Sequence, residues 1–144
     1  MQRTLILLKP DAVSQRVCGK VITRFEDAGL KILGCKMINL SPEVLREHYA
    51  HIAEKPFYPS VEAFMSSTPV IALVLEGDDV IAKIRDMLGV TDAALAAPGT
   101  IRADYGTKEG PDSKMLNIAH ASDSEEAATA EIARFFKSEE LFSY

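Results

Sequence analysis

The chain has 144 residues, 47% apolar and 26% charged, which is the balance of a soluble globular protein and excludes a disordered, collagen-like or coiled-coil chain. That length fits one domain, residues 1–144, and a domain of this size buries roughly 68–70% of the surface its unfolded chain exposes. Sixteen basic against twenty-one acidic side chains leave a net charge of −5, so the molecule as a whole repels nucleic acid and acidic membranes, and any anion it holds needs a local cluster of cations.

Arg3–Lys9 reads as a buried strand stopped by Pro10. Its apolar run, Leu5–Leu8, is shorter than a signal-peptide core of ~7–15 residues or a membrane span of ~20, so a cytoplasmic protein is expected. Val17, Val21, Ile22, Phe25 and Ala28 keep helical spacing, with Gly29 at the position of a C-terminal cap. Cys18 and Cys35 have neither metal-site nor CxxC spacing and read as two buried thiols in a reducing compartment. Lys31–Leu40 predicts a second strand, and Ser41-Pro42-Glu43 the start of a helix whose periodic face carries Val44, Leu45, His48, Tyr49 and Ile52.

Pro56-Phe57-Tyr58-Pro59 predicts a stiff irregular corner, after which Ser60 caps a short helix with Val61, Phe64 and Met65. Val70–Glu76 is the clearest strand, and the helix through Val80, Ile81, Ile84 and Leu88 closes on Gly89. Val90–Lys114 shows little periodicity; loops of that length are uncommon and often functional. Met115–His120 reads as the last strand, and Ser122 to Glu125 fits a capping box for a helix reaching Phe136. The order of strands and helices suits either a small parallel sheet or a split βαβ, ferredoxin-like sheet.

The common nucleotide loops are absent: Gly19-Lys20 lacks the earlier glycine of a P-loop, and no G-x-G-x-x-G occurs. Side-chain cations would have to hold a phosphate instead. Lys9 closes the first strand, Arg85 lies on the helix after the third, and Arg102 follows Pro98-Gly99-Thr100. His48 and His51, i and i+3 on one helix, read as surface or half-buried histidines rather than metal ligands, because four ligands do not converge in the sequence. His120 ends an apolar strand at a helix entrance, where side chains project from a rigid support and anions are favoured. Asn117 lies three residues earlier and points to the opposite face of a continuous strand; the two share a pocket only if the strand ends or bends between them.

Asn117-Ile-Ala-His120-Ala-Ser122-Asp-Ser124 resembles the N-x-x-H-G-S-D-S signature of nucleoside diphosphate kinases. The likeness extends through Lys9-Pro10-Asp11-Ala12, Arg24-Phe25-Glu26, His48-Tyr49 with Lys55-Pro56-Phe57-Tyr58-Pro59, Pro69-Val70 with Leu75-Glu76-Gly77, Arg85 to Thr91, and Pro98 to Arg102, all in register. The resemblance implies an α+β, ferredoxin-like βαββαβ fold: a four-stranded antiparallel sheet covered by helices. It implies transfer of the γ-phosphate of a nucleoside triphosphate to a nucleoside diphosphate, by a ping-pong route through a phosphohistidine on His120.

By the same likeness Arg85, Thr91 and Arg102 contact the phosphates, and Lys9 and Asn117 hold the ribose hydroxyl and neighbouring oxygens. Phe57 stacks on the base, Tyr49 walls the pocket, and Ser122 and Glu131 orient the histidine ring. Mg²⁺ bridges phosphate oxygens without a protein carboxylate cage, and the chain is expected to form a homo-oligomer, tetramer or hexamer. Ala121 departs from the family's usual glycine, which a backbone with negative φ allows. Lys55 replaces an arginine, which weakens bidentate contacts from that corner; Ala93-Ala94 replaces an Asn-Pro, and Gly106–Lys114 is longer than usual. A non-catalytic nucleotide-binding or scaffolding relative is the second reading, and a metal module built on His48 and His51 a third.

Overall fold

The computed structural model describes the whole chain, Met1–Tyr144. Four strands, β1 (Gln2–Leu8), β2 (Lys31–Ile38), β3 (Val70–Gly77) and β4 (Ala119–Ala121), form one sheet in the order β2-β3-β1-β4. Every pairing is antiparallel, so the parallel alternative is excluded and the ferredoxin-like expectation holds. β1 lies in the middle with both faces covered, which is why its sequence is apolar without alternation: Ile6 and Leu8 enter one core, Leu5 and Leu7 the other.

The first core is closed by α2 (Cys18–Asp27), through Val21 and Phe25, and by α5 (Val80–Leu88), through Val80, Ile84 and Leu88. The second is closed by α3 (Pro42–His48), α4 (Tyr58–Met65) and α7 (Glu125–Phe135), through Leu45, Met65 and Phe135. Gly29, at φ +82°, follows α2, and its N–H bonds back to Glu26, as a C-terminal cap requires. Ser41 caps α3 by accepting from the Val44 N–H at 3.2 Å.

Several expectations need correction. Pro10 does more than stop β1: it occupies the first turn of a short helix, α1 (Pro10–Ser14), where its missing N–H costs nothing. Ser60 caps nothing; α4 already begins at Tyr58, with Pro59 in its first turn. The stretch from Val90 to Lys114 contains a 3-10 turn at Ala93–Leu95 and a helix, α6 (Ile101–Tyr105), capped by Thr100. Both are too short for periodicity to reveal them. Cys35 is exposed and Cys18 half-buried, so neither thiol is a core residue. The cap of α7 is Ser124, accepting from the Ala127 N–H at 3.0 Å, and Ser122 is free for another task.

The largest correction concerns the last strand. Residues 115–118 are not extended; β4 has only three residues. Immediately before it Ile118 takes φ +79°, rare for a β-branched residue. The Ala119 N–H bonds back to the Asn117 carbonyl at 3.0 Å, closing a γ-turn with Ile118 at its centre.

Candidate active site

The γ-turn resolves the facing problem of Asn117 and His120. Side-chain alternation along a strand would separate them, but the turn reverses the chain between them and both line one cleft of about 1040 Å³. The cleft also reaches Lys9, Tyr49, Phe57, Arg85, Thr91, Arg102 and Glu131; Ser122 lies beneath it, buried. All ten sequence-predicted site residues therefore come together.

Lys9 owes its place to Pro10, since a residue preceding proline is held extended. Its backbone N–H continues the β1–β4 ladder to the Ile118 carbonyl at 2.8 Å. The ammonium, almost wholly buried, donates to Asn117 Oδ1 at 2.8 Å and the Met115 carbonyl at 2.6 Å. Burial lowers its pKa to about 8, with Arg102 adding to the effect and Asp11 opposing it. Asn117 in turn donates through Nδ2 to the Thr91 carbonyl at 2.8 Å and the Lys114 carbonyl at 3.0 Å.

Arg102 stitches the turn from the other side. Its guanidinium donates to the carbonyls of Asn117 at 3.2 Å, Gly89 at 2.9 Å and Ala119 at 2.7 Å. Gly89 has φ +87°, and a Cβ there would lie 2.7 Å from Thr100 Oγ1, so only glycine lets α5 end this close to α6. A guanidinium has five N–H groups; three are engaged, and two remain for a ligand. Burial, then the neighbouring charge of Arg85, lowers the Arg102 pKa to about 10, so it stays a cation at neutral pH. Arg85 itself is exposed and makes no hydrogen bond or ion pair within the protein.

His120 pairs with the C-terminal end of β1, opposite Leu7. Its Nε2 lies 2.8 Å from Glu131 Oε1, and the same oxygen accepts from Ser122 Oγ at 2.9 Å. Ser122 accepts the Leu5 N–H at 3.1 Å, so the hydroxyl hydrogen is committed to Glu131. Burial alone would push the Glu131 carboxyl up, but the hydrogen bonds from His120 and Ser122 and the adjacent imidazoles hold it below the ordinary carboxylate value. An ionised carboxylate on Nε2 fixes that nitrogen as the N–H. Nδ1 carries the lone pair, has no protein partner and is not sealed from solvent.

Asp11 and Arg134 have no role in the sequence analysis, and His48 has none in the transfer. Asp11 accepts the Ile118 N–H at 3.0 Å and so anchors the γ-turn; burial pushes its carboxyl up against the pull of the Lys9 charge. His48, expected at the surface or half-buried, is only 7% exposed, with its ring against that of His120 at 4.5 Å. Arg134 reaches His48 Nδ1 at 2.9 Å. The signal for His48 was its place on the apolar face of α3. His51 is exposed at the rim and does not join His48, which removes the basis for a metal module made of that pair. Phe57 is 53% exposed, an aromatic face left open at the mouth.

The donor set also bears on metal. His48, His120 and Glu131 bring ligand atoms within 4.8 Å of one another. Yet Arg134 can only donate, so His48 Nδ1 must accept and its Nε2 bears the hydrogen, while Glu131 already serves two donors. A cleft lined with Lys9, Arg85 and Arg102 suits phosphates that bring their own cation.

An antiparallel α+β sandwich whose cation-lined cleft ends on a bare imidazole nitrogen has the build of a phosphotransferase. The nucleoside diphosphate kinase family model matches residues 2–141. A nucleoside diphosphate kinase of Rhodopirellula baltica is 50% identical, over all of this chain and 91% of its own length. One from Pyrococcus horikoshii is 47% identical over 99% of this chain and 90% of its own. Among solved structures, the halophilic nucleoside diphosphate kinase of Halobacterium salinarum in complex with CDP superposes with a TM-score of 0.93 at 41% identity, covering 99% of this chain and 92% of that one. The Aquifex aeolicus enzyme gives 0.90 at 42% identity, covering 98% and 99%.

The chain belongs to the nucleoside diphosphate kinase family. It moves a phosphoryl group from a nucleoside triphosphate to a nucleoside diphosphate, and as a kinase of this family it works with a divalent metal. No helix is long and apolar enough to cross a membrane.

Proposed function

We propose that phosphotransfer runs through His120 Nδ1, in one unit spanning residues 1–144. The nitrogen's lone pair attacks the γ-phosphorus; the N–P bond forms as the bond to the β,γ-bridging oxygen breaks, and the nucleoside diphosphate leaves. A second nucleoside diphosphate then takes the phosphoryl group through a terminal β-phosphate oxygen, restoring the ring. The observation that carries this is the Nε2–Glu131 contact at 2.8 Å, which directs the lone pair to the other nitrogen. Glu131, held by Ser122, also balances the positive charge that develops on the ring.

Because the transition state of such a transfer is loose, catalysis is mostly placement and charge. Arg85, Thr91 and the two spare N–H groups of Arg102 face the phosphates, while the third hydrogen of Lys9 and the free lone pair of Asn117 Oδ1 serve the ribose hydroxyl and the phosphate oxygen beside it. No protein carboxylate cage is needed for the divalent metal, which we infer to be Mg²⁺: held by the nucleotide's phosphates, it would neutralise part of their charge beside Arg85 and Arg102. Phe57 stacks on the base at ~1–3 kcal/mol without selecting among bases, since each has a π-face, and Tyr49 walls the same side. The protein works as a cytoplasmic homo-oligomer, tetramer or hexamer.

Every phosphate-facing position keeps a competent side chain, which favours turnover over a merely nucleotide-binding role. The test is incubation with γ-labelled ATP and Mg²⁺. Wild-type protein takes up acid-labile, base-stable label, and His120→Ala takes up none and does not turn over. A His120→Ala protein that still makes GTP from GDP at the wild-type rate contradicts the proposal.

A further inference from the structure

His48 is spent on no step of the transfer, yet it is as enclosed as Lys9, at 7% exposure. Its ring meets His120 edge-on, with centroids 4.5 Å apart and planes at 81°. Tyr49, at 4.8 Å, and Phe135, at 5.2 Å, grip it from other sides. Arg134 anchors its Nδ1 at 2.9 Å. Its Nε2 is buried with no hydrogen-bond partner, an unusual arrangement for a polar atom with so many neighbours.

A histidine ring turns readily about its last torsion, whose energy profile is broad and roughly two-fold. If the His120 ring turned over, Nδ1 and Cδ2 would exchange places, Nε2 would leave Glu131, and the lone pair would face the protein. Glu131 opposes that turn with one hydrogen bond. The His48 ring opposes it sterically from a position that Arg134, Tyr49 and Phe135 make immobile.

We propose that His48 is a positioning residue for phosphotransfer: its clamped ring walls His120 so that Nδ1, and not Nε2, is presented in each turnover. This rests on His120 being the phosphorylated residue. Burial first, then the charges of His120 and Arg134, lowers the His48 pKa to about 3, so the wall stays uncharged beside a ring that must gain positive character.

Two substitutions separate the parts. His48→Asn keeps an acceptor for Arg134 and loses the wall; His48→Phe keeps the wall and loses the acceptor. With Asn we expect kcat to fall about ten- to a hundredfold with KM within twofold of wild type, and part of the label to move from Nδ1 to Nε2, resolved by ³¹P NMR of the denatured phosphoprotein. With Phe, kcat recovers at least half of that loss on a logarithmic scale and the label stays on Nδ1. Asn at wild-type kcat with all label on Nδ1 overturns the proposal, as does Phe no better than Asn. Should both variants fail to fold, ¹⁵N NMR of the wild-type imidazoles at pH 7.5 decides: His48 with an unprotonated Nδ1 supports the clamp, and His48 protonated at Nδ1 overturns it. Absence of label from His120 in wild-type protein would instead reject the underlying reading.

Discussion

At the residue scale, the working groups of the cleft hold one another. Lys9 and Arg102 are both cations taken out of water, and both are pinned by carbonyl or amide oxygens of the same short segment, Met115 to Ala119. Their charge therefore faces the cleft at a fixed place before a ligand arrives, which spares the reorganisation that mobile charges would need. With its pKa at about 8, Lys9 loses its proton as pH rises through 8. We expect kcat/KM, which reports the free enzyme, to fall above that pH. Lys9→Gln should lower kcat/KM by about a hundredfold and leave no inflection there; a pH–rate series on both proteins checks it.

Stability moves the other way. A lysine whose folded pKa lies below its unfolded value makes the unfolded chain bind more protons between about pH 8 and 10.5. Lys9 therefore adds to stability as pH rises from 8 towards 9, while activity declines. Melting temperatures across that interval test the sign.

The two serines flanking Asp123 divide cleanly. Ser124 caps α7 and touches nothing that reacts, so Ser124→Ala should cost ~1 kcal/mol of stability and leave kcat within twofold. Ser122 holds Glu131, so Ser122→Ala should lower kcat about tenfold. Thermal melts and initial rates on the pair distinguish cap from positioning group.

At the scale of elements, the segment from Asn117 to Ala121 decides the site. A β-branched residue at φ +79° costs roughly 1–3 kcal/mol, and it is held there by the Asp11–Ile118 bond, the Arg102 bonds and burial of the Ile118 side chain. Ile118→Pro, which fixes φ near −65° and removes the N–H given to Asp11, should abolish turnover by more than a hundredfold. Ile118→Gly keeps the backbone accessible and should lose stability but retain most of kcat. Far-UV spectra and rates read both.

The same segment marks the limit of what the residues alone made legible. The first three strands and the caps at Gly29, Ser41 and Gly89 are readable because periodicity and turn chemistry are local; strand direction is not local, and the antiparallel sheet follows only from the family resemblance. The γ-turn is not readable: Met115–His120 has the composition of a strand, and only the tertiary bonds from Asp11 and Arg102 bend it. His48 gave only its apolar helix face, since its meaning lies in contacts with α7 and β4, far away in sequence. Spacing alone makes Ser122 and Ser124 equal candidates for the cap of α7; the resemblance places Ser122 beside the histidine ring, where it bonds Glu131, and Ser124 is the cap.

At the scale of the molecule, a net charge of −5 surrounds a cleft that gathers Lys9, Arg85 and Arg102. Attraction of an anionic nucleotide to that cleft is a local effect, screened within ~10 Å at 0.1 M salt. We expect KM for the triphosphate to rise severalfold between 0.05 and 0.5 M salt while kcat changes little; steady-state kinetics in a salt series checks it. β2 ends the sheet on one side, and Met37, Leu95, Phe142 and Tyr144 are exposed, apolar surface that an assembly of copies would cover. For the proposed tetramer or hexamer, light scattering should return four or six times 15.7 kDa, and a monomer mass would contradict that proposal.

The central claim is that one ring nitrogen carries the phosphoryl group between two nucleotides, and it is tested most directly on the isolated intermediate. Protein labelled from γ-labelled ATP and Mg²⁺, freed of nucleotide and split, is mapped by peptide and in parallel mixed with unlabelled GDP. The label should sit on His120 Nδ1 and leave quantitatively as GTP within the turnover time. Label on another residue, or label on His120 that GDP cannot remove, would contradict the account.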